Sequence, residues 1–222
     1  MRTKILPVRG HMSAQRPGRA LAASMLSGAR SHVLYAGPLG YDYLTQLPGP
    51  LGALLFGGGA AQAGHMILPE VGCADDAGMN MGIASHIGGA LPEYFGRANW
   101  GAEDVQDRDE GGDLGWDEGR VMAVWTGVLG ISADDLPWVG RIPSKISGRA
   151  NGAGVEGEWM AAGYSGEGMA HAWMCGSALA YMILGVEDEM KVSEWFPAVY
   201  RVSETRWKRA TLDRLGERFF EF

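Results

Sequence analysis

The sequence predicts an α+β fold, and three observations carry that expectation. Through the first half, short runs of β-prone residues are joined by tight glycine and proline turns, the pattern of an antiparallel sheet. In the second half Glu158–Ala162 (EWMAA) reads as a strand that passes through Gly163-Tyr164-Ser165-Gly166-Glu167-Gly168 into Met169–Leu184. Those last sixteen residues contain no Asp, Glu, Lys or Arg and stop at Gly185. The tail, residues 203–222, spaces Trp207, Thr211, Leu215, Phe219 and Phe222 three and four apart, which predicts an amphipathic helix packed on the core.

In chain order, Lys4–Met12 (KILPVRGHM) is a strand interrupted by Pro7 and Gly10, so an edge or bent strand is expected. Ser13–Ala29, rich in Arg, Pro, Ser and Gly, reads as a loop. His32–Ala36 is a strand and Gly37-Pro38 a turn. Tyr41–Gln46 alternates as a half-buried strand does, and Ala53–Phe56 follows after the turn Pro48-Gly49-Pro50. Helical turns are expected near Met81–His86 and Leu91–Phe95. Asp104–Glu118 is acidic and reads as a solvated loop. Val121–Trp125 is a strand, Ser144–Gly157 an exposed loop, and Glu194–Pro197 an aromatic turn that packs back on the body.

With 222 residues, the chain can bury a real core as one large or two small domains. Its net charge of −7 argues against nucleic acid as a partner, and 35 glycines imply many turns. Cys73 and Cys175 form no CxxC pair, so neither a disulfide framework nor a zinc site is expected, and an intracellular reducing compartment such as the cytoplasm is the default. The N-terminus lacks an apolar core of signal-peptide length. Met169–Leu184 would span only about 24 Å as a helix, short of a bilayer core of roughly 30 Å, so a buried helix of a soluble protein is expected.

The strand–turn–helix at Gly163–Met169 aims backbone N–H groups and the positive end of a helix dipole at whatever lies above the turn. A plain tight connection without a ligand reads equally well from these residues alone. Gly152, Gly154 and Gly157 spell G-x-G-x-x-G, but a polar loop precedes them and a strand follows, the inverse of a nucleotide-binding context. The histidines at 11, 32, 65, 86 and 171 are scattered, with no HExxH or G-x-S-x-G, so no metal site or hydrolase motif is expected. His171 and Cys175 read as core residues of the long helix.

Three pieces in this order resemble the FAD-dependent oxidoreductases of the D-amino-acid-oxidase-like superfamily. They are Trp125-Thr126-Gly127 leading through Asp134-Asp135 to Leu136-Pro137-Trp138-Val139-Gly140; the strand ending Ala161-Ala162-Gly163 with the turn and helix after it; and Pro7-Val8-Arg9-Gly10-His11-Met12 with Tyr41-Asp42-Tyr43-Leu44. The likeness is to that superfamily's C-terminal half and is strongest over 121–200. It implies an FAD cofactor whose isoalloxazine lies against Gly163, Tyr164, Ser165, Gly166, Gly168 and Met169, with Gly140 approaching from a neighbouring loop. It implies hydride transfer from the carbon beside the nitrogen of a small-molecule amine or amino acid. Residues 1–126 would form the substrate-side antiparallel sheet, with Tyr43 and Trp125 as candidates to line it. Residues 127–222 would form the last strand and helix of the FAD-binding domain.

Two departures qualify that picture. Members acting on α-amino acids often carry an arginine after the glycine near Trp125, forked onto the substrate carboxylate; Gly127-Val128-Leu129-Gly130 stands here, with Leu129 in its place, which favours an amine. Many relatives also carry His where Glu167 stands. The superfamily's N-terminal dinucleotide fingerprint is missing, so the chain is expected to be a C-terminal portion, with Glu158–Ala162 joining a parallel sheet completed by other segments. The alternative is a non-catalytic remnant or small binding domain that holds no flavin.

Overall fold

A computed structural model describes residues 3–22, 30–35, 40–64, 69–103, 119–148 and 157–213. The Gly37-Pro38 turn, His65, the acidic run 104–118, Gly152, Gly154, Leu215, Phe219 and Phe222 lie outside the described residues. The chain divides into two compact units, Arg9–Val128 and Leu129–Phe222 with Met1–Val8.

The first unit is built on a five-stranded sheet of order β2-β3-β4-β1-β5. Its strands are β1 (Ile5–Gln15), β2 (Ser31–Tyr35), β3 (Tyr41–Gln46), β4 (Leu54–Gly57) and β5 (Val121–Ser132). Ile5–Val8 and Leu129–Ser132 are counted with the second unit. The β2–β3, β3–β4 and β1–β4 pairings are antiparallel, with Leu44 opposite Phe56 and Phe56 opposite Ser13. Sequence suggests an edge or bent strand for β1; it is not an edge, since it lies between β4 and β5. Its pairing with β4 starts only at Met12, so Pro7 takes no place in that ladder. Alternation puts Asp42, Leu44 and Gln46 of β3, and His11, Ser13 and Gln15 of β1, on buried positions.

Helix α1 (Met81–Trp100) covers that sheet, where sequence suggests only two separate turns. Its interior holds Gly82, Gly88, Gly89, Pro92 and Gly96, all poor helix formers, so packing rather than propensity makes it a helix. Ile83, Ile87, Ala90 and Leu91 recur on one face and enter a core with Leu44, Leu54 and Phe56. Each large apolar side chain so buried contributes about 1.5–3 kcal/mol. Asn80 caps the helix, accepting from the Gly82 and Ile83 N–H groups. Pro92 has no N–H for the Gly88 carbonyl, and the Arg120 guanidinium donates to that oxygen instead at 2.9 Å. At Gly96 the helical dihedrals break, which isolates the last turn.

The second unit pairs β6 (Trp138–Ile142) with β7 (Glu158–Ala162) antiparallel, Gly140 opposite Met160. Sequence leaves β6 without a strand assignment and expects β7 in a parallel sheet; among the described residues β7 pairs with β6 alone. Helix α2 (Ser144–Ser147) is a single turn, and α3 (Gly168–Leu184) packs on the ribbon. The uncharged α3 buries only Cys175, Ala178 and Met182, against Val139, Val192 and Phe196. Its other side is bare: Met169 is fully exposed, Trp173 82% and Leu184 71%. The expected buried helix is thus buried along one stripe, because no described element lies over the rest. The short helices α4 (Val192–Trp195) and α5 (Glu204–Arg209) follow. The expected tail helix stops at Ala210, whose backbone is extended, so its predicted stripe is broken after Trp207.

Candidate functional site

The turn between β7 and α3 is held from one side and open on the other. Gly163 has φ +76°, and a Cβ there would come 3.2 Å from both Ile5 and Trp138, so a side chain at that position would be strained and crowded. Gly166, with φ +90°, has nothing within 4 Å of where a Cβ would stand. Between them Ser165 takes the left-handed region at φ +53°. Its N–H donates to the Gly130 carbonyl and its Oγ accepts from the Ser132 N–H, both at 3.0 Å. The Glu167 N–H closes back on the Tyr164 carbonyl at 2.8 Å. Amides of Gly166, Gly168 and Met169 find no acceptor among the described residues. They point out of the start of a 17-residue helix, whose dipole adds positive potential there.

Burial pushes the Tyr164 hydroxyl up from its ordinary range, with the neighbouring Cys175 thiol adding to it. The Cys175 thiol is also raised by burial, against a smaller opposite pull from the Tyr164 hydroxyl. Both therefore stay protonated at neutral pH. His171, expected in the core, is half-exposed and lies 3.2 Å from the exposed carboxylate of Glu167, the residue just before α3.

Gly163, Tyr164, Ser165, Gly166, Gly168 and Met169 thus come together, whereas Gly140 does not join them. Its nearest neighbours are Met182 and the Val202 N–H, toward the C-terminal end of α3. A cavity of about 440 Å³ lies at that end, lined by Gly140, Arg141, Trp159, Glu187 and Arg201 among others. Of the substrate-side candidates, Tyr43 is half-buried and packs on Gly57, and burial raises its hydroxyl, helped by Tyr41 and Asp42. Trp125 is 40% exposed on β5. Leu129 is exposed on the same strand.

The residues that hold the turn escaped sequence reading in their roles. Trp138, wholly buried, donates its ring N–H to Ser132 Oγ at 2.8 Å, and that hydroxyl donates to Asp134 at 2.8 Å. Arg206 forks onto Asp134 with two 2.8 Å bonds. A buried indole N–H commonly finds an acceptor, as that of Trp138 does in Ser132 six residues earlier, though that of Trp100 does not; nothing local announces Arg206, 72 residues from Asp134.

The chain matches the family described as FAD dependent oxidoreductase (DAO) over residues 1–182, and it belongs to that family. No curated protein matches it. The family's cofactor is FAD and its members act on small molecules. The donor set at the turn fits the electron-rich pyrimidine edge of an isoalloxazine: unpaired amides, a helix N-terminus, and open space above Gly166. Among the described residues no second strand runs through a glycine turn into an α-helix. No helix among them is long and apolar enough to cross a membrane.

Proposed function

We propose that this chain serves an FAD-dependent oxidation of the C–N bond of an amine, with the pyrimidine edge of the flavin seated on Gly163–Met169. The observation that carries the reading is the set of three amides, on Gly166, Gly168 and Met169, left without acceptors at the head of α3. FAD, when bound, accepts the hydride from the carbon beside the substrate nitrogen. The residues of this chain supply geometry and electrostatics. The amides and the α3 dipole stabilise negative charge gathered at the edge they face, and Gly166 leaves room for backbone approach. Gly140, given its neighbours, has no part in this seat. Leu129 supports an amine rather than a free α-amino acid, since a neutral side chain offers no fork for a carboxylate. Residues 1–126 serve as the substrate side, and 127–222 as the cofactor side.

The second reading, a binding domain that holds no flavin, is favoured by the lack of a dinucleotide-type turn among the described residues. A visible absorption spectrum of the purified chain, before and after adding FAD and desalting, separates the two. Retained, shifted flavin bands are expected. A chain that stays colourless overturns the proposal that these residues seat flavin by themselves.

A further inference from the structure

We propose that Arg206 and Asp134, which do not themselves make the turn, are positioning residues that fix its conformation through Ser132 and Trp138. The ligand assigned to the turn rests on the flavin reading above; the positioning does not. Ser165 occupies the left-handed region, where a residue with a side chain is strained and persists only if its surroundings over-determine it. What over-determines it is the end of β5. Gly130 and Ser132 hold the Ser165 N–H and Oγ, and Gly163 closes against Trp138.

That end of β5 is itself clamped from the far end of the unit. Ser132 Oγ sits between the Trp138 ring N–H and Asp134 Oδ1, both at 2.8 Å, and Ser132 is wholly buried. Asp134 is gripped by the Arg206 fork. Arg206 also donates to the Leu136, Pro137 and Tyr200 carbonyls at 2.7, 2.8 and 2.9 Å, and lies 3.8 Å over the Trp138 ring. Ser203 caps α5 and so presents Arg206 in register. A bidentate, part-buried pair of this kind fixes direction as well as distance. Remove it, and Ser132 loses the partner that sets its hydroxyl, Trp138 its stacked cation, and the turn the wall it leans on. Within the turn, none of these bonds uses the Gly166, Gly168 or Met169 amides, which stay directed outward.

The test compares Asp134→Asn and Arg206→Ala with Val192→Ala, a core truncation in the same unit outside this network. Amide hydrogen exchange is read at Ser165 and Gly166, together with the amide shifts of Gly163 and Gly168. Both network variants should speed exchange at Ser165 by about 10-fold or more relative to Val192→Ala at matched stability. Millimolar guanidinium should restore the wild-type shifts in Arg206→Ala and not in Asp134→Asn. Should the protein retain FAD, its affinity should fall about 10-fold in the two network variants, with a changed reduction potential, and should hold in Val192→Ala. A wild-type chain that retains no FAD sinks the flavin reading alone, and the exchange data still decide this one. Turn amides that match wild type in both network variants overturn the proposal. Should either variant fail to fold, Ser132→Ala, which keeps the Ser132–Ser165 bond but cuts the hydroxyl link, decides by the same readout.

Discussion

At Gly166 a side chain would meet no neighbour, yet the backbone angle of +90° still excludes one without strain. A Gly166→Val substitution therefore puts its Cβ into the open space above the turn and strains the backbone of the turn. It should lower FAD affinity by at least about 10-fold through blocked approach; unchanged affinity in a flavin titration would remove the turn as the seat. The strand–turn–helix from Glu158 to Leu184 was legible in the sequence, because a strand, a glycine turn and a charge-free helix are local signals. The surroundings of Gly140 were not legible: in β6 its nearest neighbours are Met182 and Val202, which no local pattern announces. Arg206 was illegible for a plainer reason. One arginine among basic neighbours on a short helix carries no mark of the carboxylate it meets across the fold.

At the scale of the element, α1 shows where propensity and packing part company. Its glycines and Pro92 hide it from pattern reading, while the apolar positions at 83, 87, 90 and 91 and the Asn80 cap establish it in space. Asn80 does more than cap, since its side-chain amide donates to Glu70 at 2.9 Å and to the Ala63 carbonyl at 3.2 Å. Asn80→Ala should cost about 1–3 kcal/mol in urea denaturation. Asn80→Asp keeps a good cap but sets a second carboxylate against buried Glu70, so it should be no more stable than the alanine variant. An aspartate variant as stable as wild type would sink this account. Strands β3, β4 and β7 were legible from alternation and flanking turns. β6 was not, because it carries a glycine at its centre.

Across the whole molecule, stability should fall in two stages as the solution is acidified. Burial holds His11 below its ordinary 6.5, with Arg9 also lowering it against the pull of Glu70; its Nε2 accepts from the Asn80 N–H. Below about pH 6.5 the unfolded chain takes up a proton that folded His11 resists, so stability present above that pH is lost on the way down. Burial alone would raise Glu70, but hydrogen bonds from Arg9 and Asn80 leave it below 4.5. Burial opposes the fall of Asp134 too, and Arg206 and Ser132 carry it below 3.8. Both carboxylates stabilise the fold above those values and cease to do so as they protonate. Urea midpoints measured from pH 8 to pH 3 should therefore begin to drop near pH 6.5 and drop faster below about pH 4.5. His11→Gln should remove the first stage; a first stage that survives in that variant would assign it elsewhere. The bare side of α3 has an optical consequence. Trp173 stands 82% exposed four residues beyond Met169, about 6 Å along the helix axis, while Trp138 is wholly buried and Trp100 nearly so. Trp125, at 40%, is the next most exposed tryptophan among the described residues. Iodide should thus quench a red-shifted fraction of the indole emission, and Trp173→Phe should remove more of that fraction than Trp125→Phe. A chromophore settling on the turn would drain that fraction by energy transfer, so the protein carries its own lamp beside the seat.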